Sequence, residues 1–305
     1  MKALIIGLGS IAKKHISVLQ KNFPNIELHA LRSNKDAQSL PGIKNYFSYE
    51  EIDFTPSFIL ICGPTHQHTD VIKNCLRFNC PLFIEKPLSH QLNELTELET
   101  LLNQKSIRTY VACNLRFLNC LQFVHDHLKK QKIKVNEVNI YCGSDLSKWR
   151  KDADYRHSYS AHADQGGGVH LDLIHELDYT YWLFGSPEKT QRTLKKNSDL
   201  EIDSFDYANY LLEYKSFCVN IVLNYYRADA KRCLEIVLEN ETLYVDLLKN
   251  EVRSLTNEKL LFSSDQTILD TYTDQMNYFI SKLNETKPYM NAFSEARDIL
   301  KICIN

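Results

Sequence analysis

The chain has 305 residues, 44% of them apolar, and a formal net charge of −2. That length is enough for two domains with sizeable cores, and the near-neutral charge offers no basic field to nucleic acid. No stretch approaches the ~18 apolar residues of a membrane span, and Met1-Lys2-Ala3 leads straight into a strand, so neither a membrane segment nor a signal peptide is expected.

The first element is the apolar run Ala3-Leu4-Ile5-Ile6, a buried strand. Gly7-Leu8-Gly9-Ser10-Ile11-Ala12 follows, and Ile11, His15, Val18 and Leu19 continue at helical spacing. Strand, glycine turn and helix start make the arrangement that cradles a dinucleotide pyrophosphate. Gly7 allows the turn, Gly9 lets backbone approach phosphate, and Ala12 lets helix and strand pack closely. Gly7, Gly9, Ser10 and Ile11 are therefore expected at the cofactor. The second strand, Glu27 to Arg32, lacks the acid that usually binds the ribose diol and ends in Arg32, followed by Ser33. A guanidinium binds a 2′-phosphate through charge-assisted hydrogen bonds, so NADP is expected in preference to NAD, with NAD still possible.

Ser57 to Cys62 reads as a further buried strand, and Val71, Ile72, Cys75 and Leu76 mark the helix after it. Pro81-Leu82-Phe83-Ile84 is another strand, and Glu85-Lys86-Pro87 places a lysine at its end. That end is where an open α/β sheet presents chemistry to its ligand. Leu92, Leu95, Leu98 and Leu102 predict a helix capped by Ser89, and Thr109 to Cys113 a closing strand. Alternating strand and helix imply parallel βαβ units, giving a Rossmann domain over residues 1–117.

From about residue 133 the pattern changes. Lys134 to Tyr141 reads as a strand, residues 145–165 as a long polar loop, and Gly166-Gly167-Gly168 as the opening of an apolar helix through Trp182. Val219, Ile221, Leu223 and Tyr225 alternate, as do Leu234, Ile236 and Leu238. Consecutive strands with short turns predict a large, mostly antiparallel sheet half covered by helices, within a second α/β domain over 118–305. A late helix carries Leu269, Met276, Phe279 and Leu283, and a last one starts near Ser294. The nine cysteines form no Cys-x-x-Cys pair and suit reduced, buried thiols in a cytoplasmic protein. His66-x-His68 and His125-Asp126-His127 have no second ligand pair at suitable spacing, so no metal is expected.

Taken in order, five motifs resemble one known family. They are the N-terminal Gly-x-Gly-x-x-Ala, Gly63-Pro64-Thr65-His66-Gln67-His68, Glu85-Lys86-Pro87, Asn114-Leu115-Arg116-Phe117 and Gly166-Gly167-Gly168-Val169-His170-Leu171-Asp172. The chain is identified along essentially its whole length as a member of the glucose–fructose oxidoreductase, inositol dehydrogenase and MocA-like family. The resemblance implies NAD(P)-linked oxidation or reduction of a sugar, cyclitol or related carbonyl compound. It implies a homodimer or homotetramer formed through the C-terminal sheet. It places Lys86 near nicotinamide and substrate, lets Glu85 and Pro87 shape that turn around an often cis Lys-Pro bond, and lays Thr65 and His68 along the cofactor. Asp172 and His175 match the substrate-side acid and histidine, one residue closer together than the family's usual Asp-x-x-x-His, which makes Glu176 a rival for the imidazole's place. Arg116 and His170 join the substrate contacts. The His-Glu-Leu-Asp-Tyr form points toward bacterial surface-sugar synthesis.

The residues then suggest a mechanism. His175 suits removal of a hydroxyl proton, Asp172 can orient the ring, and Lys86 can offset developing alkoxide charge. The loop from Leu146 to Ser160 combines cations, rings and hydroxyls, which points to an anionic or nucleotide-linked sugar. Arg156 and Tyr159 are its leading contacts, with Arg150 and Trp149 next. Two other functions stay open at this point: a cofactor-binding sensor without turnover, and a reductase of linear tetrapyrroles, both on the same fold.

Overall fold

The computed structural model describes residues 1–305 except 37, 132 and 151–153, and of Gln131 its backbone alone. The first stretch alternates strand and helix: β1 (Lys2–Ile6), α1 (Ser10–Asn22), β2 (Glu27–Leu31), β3 (Ile43–Tyr46), β4 (Phe58–Ile61), α2 (His68–Cys75), β5 (Leu82–Glu85), α3 (Leu95–Gln104) and β6 (Thr109–Ala112). Then come α4 (Asn119–Gln131), β7 (Val135–Gly143), α5 (Val169–Asp172) and α6 (His175–Phe184). The strands β8 (Lys189–Lys195), β9 (Tyr207–Glu213), β10 (Cys218–Asn224), β11 (Lys231–Leu238), β12 (Thr242–Asp246), β13 (Glu251–Ser254) and β14 (Lys259–Ser263) precede α7 (Ile268–Ser281) and α8 (Phe293–Ile304).

Strands β1 to β6 form one parallel sheet in the order β3-β2-β1-β4-β5-β6, the doubly wound order whose direction of winding reverses between β1 and β4. Strands β1, β4, β5 and β6 are buried almost throughout, which is why they read as continuous apolar runs rather than alternating ones. The remaining strands form an eight-stranded sheet in the order β14-β13-β12-β11-β7-β10-β9-β8, antiparallel except for the β7–β10 pair. There the inward positions Tyr210, Leu212, Val219, Ile221 and Ile236 are buried, while their neighbours along each strand are half-buried or exposed. The α/β class and the mostly antiparallel second sheet are thus as read from the sequence.

The chain divides into two compact units, Met1–Cys113 with Tyr272–Lys301, and Asn114–Thr271 with Ile302–Asn305. This differs from a second domain running over 118–305. Residues 272–301 pack on the parallel sheet because α7 offers it Phe279, fully buried and edge-on to Phe58 and Phe83 at 5.5 and 5.3 Å. Asn291 Nδ2 donates to the Val111 carbonyl, and the Phe293 amide to Thr109 Oγ1, both at 2.9 Å.

Other local differences have local causes. The single helix expected from the glycines to Trp182 is broken at Leu173-Ile174 into α5 and α6. Ser89 does not cap α3, which begins at Leu95; its buried hydroxyl instead accepts from the Gln91 amide. Strands β3 and β8 are short or polar, and β8 is an exposed edge with no apolar period to announce it. No helix among the described residues is long and apolar enough to cross a membrane.

Candidate active site

In the first unit the C-terminal ends of β1, β4 and β5 lie side by side on one edge of the parallel sheet. Gly7 leaves β1 with φ at +86°, and a Cβ there would stand 2.9 Å from the Gly63 Cα and N, so the backbones after β1 and β4 touch. Gly9 differs. Its φ of −69° suits any residue and a Cβ would meet nothing within 4 Å, so the chain's own packing does not demand a glycine. What a side chain there would obstruct is the approach to α1. No side chain caps that helix and its first turn carries no acid, so its opening N–H groups and positive dipole end are left for an anion. Exposed Ser10 and half-buried Ile11 form the rim. This cradle fits a dinucleotide pyrophosphate.

Lys86, half-buried, follows β5, and the Lys86–Pro87 peptide is cis. The turn is held from beneath. Glu85, buried at the end of β5, places Oε1 2.5 Å from His15 Nε2 of α1 and accepts the Lys86 amide on Oε2 at 3.2 Å. His68 is 1% exposed, with Nδ1 3.0 Å from the Pro87 carbonyl and Nε2 3.1 Å from that of Gly63. Burial pushes its pKa down. The imidazole therefore braces the loop after β4 against the lysine turn. Thr65 is buried at the start of the same loop's short 3-10 turn.

Arg32 follows β2 and is 8% exposed, with Nη1 donating to Asn45 Oδ1 at 3.3 Å. It is thus an ordered side chain and not a solvated one. Ser33 beside it is exposed.

In the second unit the loop that carries Tyr159 folds onto the glycine run. A Cβ on Gly167 would stand 2.6 Å from the His162 carbonyl and 2.7 Å from that of Ser160, so only glycine admits this approach. The fold brings Asp172, buried at the end of α5, to a buried tyrosine. Tyr225 donates to Asp172 Oδ2 at 2.5 Å, and burial, with the Asp172 charge behind it, pushes the Tyr159 hydroxyl above the ordinary phenol range. The Arg150 guanidinium lies 5.9 Å over the Tyr159 ring. Trp149, exposed, stands edge-on to Tyr225 at 5.3 Å with its indole N–H on Ser144. Of the four residues singled out in the loop, Trp149 therefore packs on the tyrosine that holds Asp172, and Arg150 packs on the Tyr159 ring. Lys151 to Ala153 of the same loop lie outside the described residues.

Four expectations need correction. Arg156 is exposed but ion-paired with both Asp154 and Glu201 at 2.7 Å, so its fork is already occupied by carboxylates. Arg116 is 1% exposed and grips Asp178 with two hydrogen bonds of 2.9 and 2.8 Å, a structural pair and not a substrate contact. Glu176 is fully buried and held by Arg232 Nε and Nη2 at 2.6 and 2.9 Å, which turns it away from the role of rival base. Asp172 closes α5 and half-buried His175 opens α6, with the break at Leu173-Ile174 between them. His170 is buried edge-on to Phe205, and burial lowers its pKa to about 4, so it is a neutral packed ring.

No local pattern in the sequence marks Tyr225, His15 or Arg232 at these places. Tyr225 was legible only as an inward strand position; the signal available was that a buried phenol needs a partner.

Comparison with known proteins agrees with this geometry. Residues 1–113 match the model of an oxidoreductase family with an NAD-binding Rossmann fold, and residues 135–244 match that of the GFO/IDH/MocA C-terminal domain. The chain is 23% identical to a myo-inositol 2-dehydrogenase of Thermotoga maritima over 94% of its own length and 90% of the relative's. It is 25% identical to an uncharacterized oxidoreductase of Bacillus subtilis over 72% of its length, a match that spans 65% of that relative. The WlbA dehydrogenase of Bordetella pertussis, solved with NADH and UDP-GlcNAcA, shares the fold with a TM-score of 0.81 at 15% identity, covering 98% of this chain and 93% of that one.

Proposed function

We propose that this chain, which belongs to the GFO/IDH/MocA oxidoreductase family, transfers a hydride between nicotinamide and a carbon of an anionic, nucleotide-linked sugar. The observation that carries the reading lies within the first unit. The open N-terminus of α1 and the Lys86 turn stand at the same edge of one parallel sheet, where such sheets bind their ligands. A bound nicotinamide supplies the hydride donor or acceptor.

The chain's residues supply the rest. Gly7, Gly9 and the first turn of α1 hold pyrophosphate, and Arg32 with Ser33 takes a 2′-phosphate, which favours NADP. Lys86 hydrogen-bonds the reacting oxygen and offsets charge as it develops. Asp172 and His175 do the acid–base work. Arg150, now the leading cation, and the Trp149 and Tyr159 rings receive the charged sugar. The reading extends to a homodimer or homotetramer through the half-exposed face of the eight-stranded sheet, in the reducing cytoplasm; light scattering that finds a monomer contradicts the oligomer. The Bordetella pertussis neighbour, solved with UDP-GlcNAcA, lends support to the substrate class.

The test is turnover, followed by absorbance of the reduced nicotinamide, with UDP-GlcNAcA, other UDP-sugars, free sugars and myo-inositol. Arg150→Ala is expected to raise KM for the charged substrate by about tenfold or more and leave that of a neutral one nearly unchanged. Equal turnover of inositol and UDP-sugars by the wild-type protein contradicts the substrate class.

A further inference from the structure

Asp172 is 4% exposed at the end of α5, with its amide on the Gly168 carbonyl at 3.0 Å. Its backbone is therefore set, but the last torsion of an aspartate is broad and leaves the carboxylate plane free to turn. A buried carboxylate also needs hydrogen-bond donors in place of water. Tyr225 meets both needs, because its hydroxyl donates to Asp172 Oδ2 at 2.5 Å.

The fold holds Tyr225 in place for this contact. Val219, Ile221 and Leu223 fill the inward positions of β10, and the alternation carries one step past the strand to Tyr225, which is fully buried. The Tyr225 amide donates to the Asp206 carbonyl at 3.0 Å, and its own carbonyl accepts the Leu146 amide at 2.8 Å. Trp149, with its indole N–H on Ser144 Oγ at 2.8 Å, stands edge-on to the Tyr225 ring at 5.3 Å. Backbone and ring are thus fixed independently of the hydroxyl, so little further ordering is needed for the hydroxyl to hold Asp172.

We infer that Tyr225 is a positioning residue for the proposed reaction: its hydroxyl fixes the plane of the Asp172 carboxylate and so aims the second oxygen, Oδ1. The inference rests on the proposed reading of Asp172 as part of the acid–base machinery. Tyr225 does not itself exchange a proton with substrate. It has no exposed edge, and burial first, then the Asp172 charge, holds its phenol well above the ordinary range, so it stays a neutral donor. Its effect on rate passes through Asp172 alone.

The experiment is a cycle of Tyr225→Phe, Asp172→Asn and the two together, compared with wild type in single turnover on UDP-GlcNAcA or whichever sugar of the panel turns over fastest. Sugar binding to the protein loaded with reduced cofactor, which cannot turn over, is measured by calorimetry. Tyr225→Phe keeps the ring against Trp149 and removes the hydroxyl alone. It is expected to lower the rate on the order of tenfold or more and to change dead-end binding by less than about threefold. In the Asp172→Asn background the same change should cost less than about twofold, because the aim of a base already lost no longer matters. That comparison stands even where Tyr225→Phe alone does not fold, since the double variant removes the buried charge together with its donor. A Tyr225→Phe rate within about threefold of wild type while Asp172→Asn is slow overturns the positioning role alone. So does a further loss of about tenfold or more when Tyr225→Phe is added to Asp172→Asn. A fully active Asp172→Asn, or a wild-type protein that turns over nothing in the panel, overturns the reading of Asp172 and this role with it.

Discussion

His15 Nε2 lies 2.5 Å from Glu85 Oε1, joining the helix that opens on the pyrophosphate cradle to the strand end that carries Lys86. Glu85 is buried and its other oxygen holds the Lys86 amide, so the pair fixes the lysine turn from below. His15→Phe keeps ring packing against Phe83 but removes the partner of a buried carboxylate. It is expected to cost about 2 kcal/mol of stability in chemical denaturation and to lower kcat more than it weakens cofactor binding. Unchanged stability and kcat would show that the pair is idle.

In the proposed reading, cofactor choice rests on Arg32 and the missing acid at the end of β2. The wild-type protein should bind NADPH more tightly than NADH by fluorescence titration, and Arg32→Ala should remove most of that difference, about tenfold or more. Tighter binding of NADH by wild type contradicts the assignment.

Much of the first unit was legible in the sequence because its signals are local. The turn at Gly7 and Gly9 and the lysine after β5 each sit within a few residues of the strand that positions them. The second unit was less legible for a physical reason. Its decisive pairings, Arg116 with Asp178 and Arg232 with Glu176, join residues 62 and 56 positions apart. No local period marks such partners. The break at Leu173-Ile174 also falls inside an apolar run, so the pattern continues where the helix does not. Arg156 looked like a ligand-binding fork because composition cannot show that Asp154 and Glu201 already hold it.

The Glu176–Arg232 pair separates two neighbouring residues by function. Glu176→Gln should destabilise by about 2 kcal/mol, since it leaves a half-buried guanidinium without its counter-ion, while kcat of the folded fraction stays near wild type. His175→Ala should do the opposite, lowering kcat far more than substrate binding. The reverse pattern would return the acid–base role to Glu176.

His170 predicts a pH dependence of stability. Its folded pKa, lowered to about 4 by burial with Asp172 opposing and Arg192 assisting, lies below its unfolded value of about 6.5. Between those values the unfolded chain binds the proton and the native one does not, so stability falls as pH drops from about 6.5 toward 4 and this contribution is complete above 6.5. The loss is of the order of 3 kcal/mol. Denaturation midpoints of wild type and His170→Phe across this range should diverge, with the variant flatter. Parallel curves would remove His170 from the account.

The central claim is that Lys86 stabilises the reacting oxygen of a nicotinamide-linked oxidation or reduction. Stopped-flow absorbance of the reduced nicotinamide, with wild type and Lys86→Met on the best sugar of the panel, tests it most directly. The variant should lose on the order of 10²-fold or more in kcat while cofactor affinity stays close to wild type, because in the proposed reading pyrophosphate rests on backbone around Gly7 and Gly9. A variant that keeps more than about a tenth of wild-type kcat, or a wild-type protein that turns over nothing in the panel, would contradict the claim.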